Sequence, residues 1–112
     1  MKQKIAIPTS NNSLCAHFGH CEKFVFIEIE NGVIQNETFV SPPPHQPGLL
    51  PVWLSEQGIS HVIAGGMGQR AVNLLQQYNI IAMVGAPEKP ARDLAEAYLN
   101  NNLVTGSNTC DH

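Results

Sequence analysis

Residues 23–40 read KFVFIEIENGVIQNETFV. Asn31-Gly32 stands between two runs rich in aromatic and β-branched residues. An Asn-Gly pair so placed is a strong hairpin signal, because both positions accept positive φ. Lys23–Glu30 and Val33–Val40 are therefore predicted to be antiparallel strands. The next segment, Ser41–Gly48 (SPPPHQPG), excludes helix and central strand, since Pro42, Pro43 and Pro44 favour an extended polyproline path. Strands and helices alternate from there on.

Leu49–Gln57 is predicted to be a helix, with Pro51 tolerated in its first turn and Leu50, Trp53 and Leu54 forming an apolar stripe that Gly58 ends. His61–Ala64 is a short strand running into Gly65-Gly66-Met67-Gly68. A helix over Gln69–Tyr78 places Ala71, Leu74, Leu75 and Tyr78 on one face. Ile80–Val84 is a further strand. Pro90–Asn101 is the last helix, with Ala91, Leu94, Ala95, Tyr98 and Leu99 at helical spacing and Pro90 suited to its first turn. Ahead of the hairpin, Lys4–Pro8 is the first strand, and residues 9–22 read as a long polar loop of the kind that is usually functional. The order β-β-β-α-β-α-β-α predicts a mixed sheet with helices packed on it, an α/β fold.

A chain of 112 residues fits one domain, spanning 1–112, and hides roughly two-thirds of its unfolded surface. With 43% hydrophobic and only 13% charged residues, disorder is excluded, and a nearly neutral surface suits contact with a partner. The net charge is −3 and the six basic residues are scattered, so no stripe exists to neutralise phosphates and nucleic acid is not an expected partner. No apolar run reaches membrane-spanning length, and Pro8 interrupts the short apolar stretch near the N-terminus. A cytoplasmic location without membrane association is expected. Three cysteines, an odd number, then argue for ligand or redox chemistry over a disulfide framework.

Those cysteines do not stand alone. Cys15, His17, His20 and Cys21 fall within one short stretch, and thiolate with imidazole is the donor set of zinc, copper and iron–sulfur centres. In an extended segment Cys15 and His17 point the same way, and Gly19 lets the chain bend to bring His20 or Cys21 round. The bland alternative is a loop with two surface histidines and two cysteines packed as small hydrophobes. Cys110 and His112 repeat the Cys-x-His spacing at the far end, where the alternative is an irrelevant tail.

Gly65-Gly66-Met67-Gly68-Gln69-Arg70 lies between a strand and a helix, where backbone amides and a helix N-terminus suit anions. It is neither a Walker A loop nor a dinucleotide fingerprint. Close backbone packing is the competing account of its glycines, gap filling that of Met67, and a surface charge that of Arg70. His45 sits in the proline-rich loop, and His61 opens a strand as a structural residue. Catalytic frameworks are lacking: no acidic pair stands out, and Ser10, Ser13, Ser41, Ser55, Ser60 and Ser107 have no nucleophile-elbow context. The chain is not expected to be an enzyme.

Taken together, several of these elements resemble the dinitrogenase iron–molybdenum cofactor biosynthesis family, also described as nitrogenase accessory factor-like. They are Lys4-Ile5-Ala6-Ile7-Pro8, His17-Phe18-Gly19 followed by Phe24, and Pro44-His45-Gln46-Pro47-Gly48. Val62–Gly68 with Arg70-Ala71 and the Cys-x-His tail complete the set. The resemblance spans nearly the whole chain. It implies a three-layer ribonuclease H-like fold: a mixed five-stranded sheet of order 3-2-1-4-5 with strand 2 antiparallel, and no nuclease activity. Strands 1 and 4 of that order are neighbours whose chains depart in opposite directions, a switch point where ligands bind. The loop with Cys15, His17, His20 and Cys21 then meets the loop Gly65–Gly68, with His45 at the border.

The implied function is that of a small accessory or carrier protein for an iron–sulfur or molybdenum–iron–sulfur cluster, in cofactor assembly or storage. Its metal ligands are expected among Cys15, His17, His20, Cys21, Cys110 and His112. Its cofactor-binding surround is expected at His45, Gly65, Gly66, Met67, Gly68 and Arg70. Expected partners are the cluster and the cluster-assembly or acceptor proteins. The rival reading is a zinc-binding or metal-free interaction module of the same fold.

Overall fold

The structure, a computed structural model, describes residues 2–11, 13–15, 22–43, 48–103 and 105. Along the chain run β1 (Lys2–Ser10), β2 (Ser13–Leu14), β3 (Lys23–Glu30), β4 (Val33–Val40) and α1 (Leu49–Glu56), then β5 (His61–Ile63), α2 (Gln69–Gln77), β6 (Ile81–Met83) and α3 (Ala91–Leu99). The strands form one mixed sheet in the order β4-β3-β1-β5-β6, with β2 paired to β1 off that path. β3 is antiparallel to both β1 and β4, whereas β1–β5 and β5–β6 are parallel.

The hairpin forms where Asn-Gly predicts it. Asn31 and Gly32 both have positive φ, 54° and 78°, as the tight turn requires. Further along, the β3–β4 ladder shifts register between Glu28 and Ile29: Glu28 faces Asn36, but Ile29 faces Ile34. Gln35 is thus an extra residue, a bulge on an edge strand that bends and twists it.

Two expectations need correction. The sheet has six strands, not five, because Ser13–Leu14 folds back on Thr9 and Ser10 within the segment read as loop. Asn11 makes that reversal possible by taking a left-handed conformation, φ 54°. The first strand is also longer than Lys4–Pro8, since β3 pairs with it from Lys2 to Thr9. A long antiparallel partner extends β1 beyond its apolar stretch.

Side chains alternate across the sheet. Ile5, Ile7, Val25, Ile27 and Ile29 face α3, packing with Ala91, Leu94 and Ala95. Ala6, Phe24, Phe26 and Val62 face the other way, towards Leu54 of α1 and Leu75 of α2. Trp53 stacks obliquely on Phe24 and Phe26, with ring centroids 5.5 and 5.6 Å apart. Truncating Leu54, which is wholly buried, to Ala should cost roughly 2–5 kcal/mol. A urea titration checks this, and an unchanged midpoint would contradict the packing.

At the amino end of β1, polar groups tie the sheet to α3. The Lys4 amide donates to Ser60 Oγ (3.0 Å), Ser60 Oγ lies 2.8 Å from His61 Nδ1, and Gln3 Nε2 donates to Tyr98 Oη (3.0 Å). His61 is structural, as its sequence context suggests. Desolvation lowers its pKa from the ordinary 6.5. Burial favours the neutral ring, so the unfolded chain binds the proton more readily. Stability from this residue is full above pH 6.5 and declines as pH falls towards the lower folded-state value. Urea midpoints at pH 7.5 and 5.5 should therefore differ more in the wild type than in His61→Gln, and an equal difference would refute the assignment.

Candidate functional site

β1 is where the sheet changes direction. Its parallel ladder with β5 ends at Ala6 and Val62, yet β1 continues to Ser10. Past that point the place beside β1 is taken by its own continuation. Thr9 pairs with Leu14, and the Cys15 amide donates to the Pro8 carbonyl at 3.0 Å. Cys15 thus lies beside β1 at the level where the chain beyond β5 turns away. It is 8% exposed.

Two further segments reach this end of the sheet. The turn after β5 is tied to the loop after β6: Gly85 donates to the Gly65 carbonyl (2.7 Å) and Ala86 to the Ala64 carbonyl (3.2 Å). That same loop meets β2, because Leu14 donates to the Lys89 carbonyl (2.9 Å) and Ser13 bridges to Pro90. Three connections thus converge at the carboxyl ends of the parallel strands. The chain leaves β1 towards β3 and leaves β5 towards β6, which is the arrangement that opens a crevice in α/β sheets.

Sequence reasoning missed how the Cys/His segment is anchored. Cys15 is held to Pro8 through its amide, and the Glu22 amide donates to the next β1 carbonyl, that of Thr9, at 2.9 Å. Thr9, 3% exposed, donates from Oγ1 to the Lys23 carbonyl (2.9 Å), and Glu22 Oε1 accepts from the Asn11 amide (3.3 Å). Cys15 and Glu22, which flank residues 16–21, are therefore held on adjacent residues of the central strand. A buried threonine next to a polar turn is the one signal that pointed to such an anchor.

The glycine loop is placed unevenly. Gly65 is partly buried and Gly66 buried. Met67 is 1% exposed and packs in the core with Ala64, Leu54 and Leu75. Gly68 is the N-cap of α2 with ordinary extended backbone (φ −63°, ψ 150°), and a Cβ there would meet nothing within 4 Å. Arg70 is exposed in the first turn of α2 and makes no ion pair among the described residues. His17, His20, Cys21, His45, Cys110 and His112 lie outside the described residues. Among the described residues no three His, Cys, Asp or Glu side chains come together as a metal site. Cys15 is the candidate ligand whose position is defined. Its burial predicts slow thiol labelling in the native protein, roughly tenfold or more below the rate after unfolding. Mass-spectrometric quantification of the Cys15 peptide tests this, and equal rates would contradict the placement.

The chain and its fold are similar to those of known proteins. Residues 1–101 match the family described as dinitrogenase iron–molybdenum cofactor. An uncharacterized protein of Methanocaldococcus jannaschii, MJ0580, is 37% identical over 82 residues, covering 69% of this chain and 70% of that one. The crystal structure of PH0822 superposes with a TM-score of 0.86 at 26% identity, over 92% of this chain and 94% of the other. The apo form of the orange protein from Desulfovibrio gigas, at 17% identity, shares the fold with a TM-score of 0.76 over 95% and 94% of the two chains. On the extent of the family match, this chain belongs to the dinitrogenase iron–molybdenum cofactor family.

Proposed function

We propose that this protein is a small accessory or carrier protein that binds an iron–sulfur or molybdenum–iron–sulfur cluster for cofactor assembly or storage. The observation that carries the reading is the position of Cys15. In a member of this family, it stands beside the central strand where the parallel ladder ends and three connections converge. Thiolate at such a place is suited to a soft metal centre.

The ligand set in this reading is drawn from Cys15, His17, His20, Cys21, Cys110 and His112. Cys15 and Glu22, on either side of residues 16–21, are held on the carbonyls of Pro8 and Thr9, which supports drawing donors from that stretch to the same end of the sheet. Gly65 and Gly66 offer backbone without side-chain bulk, and His45 is the proposed border of the crevice. Met67 supports the loop from beneath, Gly68 leaves the start of α2 open, and Arg70 supplies positive charge near an anionic cluster.

The chain acts in this reading as a single ribonuclease H-like domain over residues 1–112, three-layered, in the cytoplasm and without catalysis of its own. The order β4-β3-β1-β5-β6, with helices packed on both faces, supports that architecture. Among the described residues no helix is long and apolar enough to cross a membrane. Partners are the proteins that build the cluster or accept it.

Anaerobic purification with metal and sulfide analysis tests the reading. Bound cluster should give visible charge-transfer absorption and acid-labile sulfide. Cys15→Ser, Cys110→Ser and a chain truncated after Thr109 should each lower cluster affinity by roughly tenfold or more. Affinity should also fall with pH, because thiols must lose a proton to ligate. Colourless protein with stoichiometric zinc would overturn the cluster in favour of a zinc-binding module, and protein without metal or sulfide after reconstitution would overturn both.

A further inference from the structure

The polar groups at the amino end of β1 form one connected circuit. Gln3 Nε2 donates to Tyr98 Oη (3.0 Å), and Tyr98 Oη lies 3.4 Å from His61 Nε2. His61 Nδ1 lies 2.8 Å from Ser60 Oγ, which donates to the Lys4 carbonyl (3.2 Å). The circuit starts and ends on β1 and passes through α3 and the start of β5. Counting hydrogens gives it a direction. Ser60 Oγ accepts from the Lys4 amide (3.0 Å), and with its single hydrogen on the Lys4 carbonyl it faces the ring with a lone pair. Nδ1 then carries the ring proton and Nε2 is bare. The Tyr98 hydroxyl, which receives the Gln3 amide, has Nε2 as its acceptor. The opposite direction leaves the hydroxyl hydrogen of half-buried Tyr98 with no acceptor among the described residues.

Every link of this circuit is satisfied while the ring is neutral. A proton on Nε2 sets N–H against O–H, and Tyr98 has to turn its hydrogen away. No carboxylate is placed to compensate. From α3, Tyr98 is the titratable group that faces the ring; Arg92 joins Glu37 of β4 and Glu96, and Asp93 lies in the first turn. On β1 and β3, Lys2 and Lys4 are in register with Glu30 and Glu28 on the opposite face, with the Lys4 ammonium 5.3 Å over Phe26. From β6, Ile81 is in register with His61 and is 56% exposed, so no helix covers that side. Tyr98, its ring centroid 5.6 Å from that of His61, is the cover.

We propose that this circuit is a pH-operated latch: neutral His61 holds the C-terminal turns of α3 on the sheet, and proton uptake at Nε2 lets them open while the sheet stays folded. Lifting Tyr98 is the smallest motion that returns the ring to water, so a proton that binds the solvated ring more readily favours the lifted state. Desolvation holds the folded-state pKa below the ordinary 6.5. The latch is therefore shut above pH 6.5 and loosens as pH falls towards the lower folded-state value. The other end of α3 stays in place, because Pro90 bridges to Ser13 and the Lys89 carbonyl accepts from the Leu14 amide. The helix thus reaches from the crevice to the latch, and only its far end is set by pH.

Two measurements on the full chain test this. Long-range nitrogen–proton spectra, with His61 assigned by its loss in His61→Gln, read the tautomer at pH 7.5. The Nδ1–H form is expected, and the Nε2–H form overturns the proposal. Amide hydrogen exchange, corrected for the intrinsic rate, follows the opening. Asn100, Asn101 and Asn102 donate to the carbonyls of Glu96, Tyr98 and Ala97 and report the end of α3, whereas Leu94 reports its start and Ala64 the sheet. Between pH 7.5 and 5.5 the opening constant at Asn100, Asn101 and Asn102 should rise by up to about tenfold, since the ordinary histidine pKa of 6.5 lies one unit above the lower pH. Leu94 and Ala64 should not change. His61→Gln should abolish the rise. Tyr98→Phe, which keeps the ring and removes the hydroxyl, should increase opening at the three asparagines severalfold already at pH 7.5. A rise shared equally by Leu94 and Ala64 is a loss of stability throughout the fold and overturns the latch. So does a rise that survives His61→Gln, or unchanged protection in Tyr98→Phe. If His61→Gln does not fold, the tautomer and Tyr98→Phe decide.

Discussion

Everything in this protein is built on β1. The strand is paired along both edges, antiparallel to β3 and parallel to β5, and Ile5, Ala6 and Ile7 are each 0% exposed. A strand covered on both faces must be apolar throughout, and Ile-Ala-Ile meets that demand with two large residues towards α3 and a small one towards α1 and α2. Burying each isoleucine is worth about 1.5–3 kcal/mol before entropy is counted. The same strand is where the chain changes from antiparallel to parallel pairing. A hairpin unit lies on one side and βα units on the other, so the chain leaves β1 and β5 in opposite directions. The core and the crevice are two consequences of one pairing choice.

Most of this architecture was legible because strong local signals agreed with the tertiary ones. Asn31-Gly32 marks a turn that only positive φ satisfies, and both residues adopt it. Gly58, with φ 77°, closes the chain after α1 as a helix stop should. The errors lie where local pattern carries no information. β2 has two residues, too few for any period to register, and it exists because Asn11 reverses the chain against β1. β1 runs through Lys2 and Gln3 at one end and Thr9 at the other because β3 offers partners there, and to Ser10 because β2 does, and no propensity of those residues announces it.

The site was legible in its chemistry and less so in its geometry. A thiol at Cys15 next to a His-Phe-Gly-His segment signals ligation by composition alone, but nothing in that composition says which residues hold the segment in place. The anchors are backbone amides of Cys15 and Glu22 on neighbouring carbonyls of β1, interactions that any residue type could make. The glycine loop shows the opposite failure. Gly65-Gly66-Met67-Gly68 suggests one continuous ligand cradle, yet Met67 turns wholly into the core and Gly68 caps a helix with space around it. Sequence adjacency does not survive a strand-to-helix turn, in which successive side chains point to different layers.

These anchors bear on what a carrier needs. Closing a free loop of six residues costs on the order of 1.5 kcal/mol or more, and fixing each backbone costs further. In a site assembled from free segments the cargo would have to meet the whole of that cost on arrival. Here Cys15 and Glu22, on either side of residues 16–21, are already fixed to adjacent carbonyls of the most buried strand. Folding meets the cost of bringing Cys15 and Glu22 together. In the proposed carrier, a cluster would be taken up beside a β1 that already keeps Cys15 and Glu22 in register.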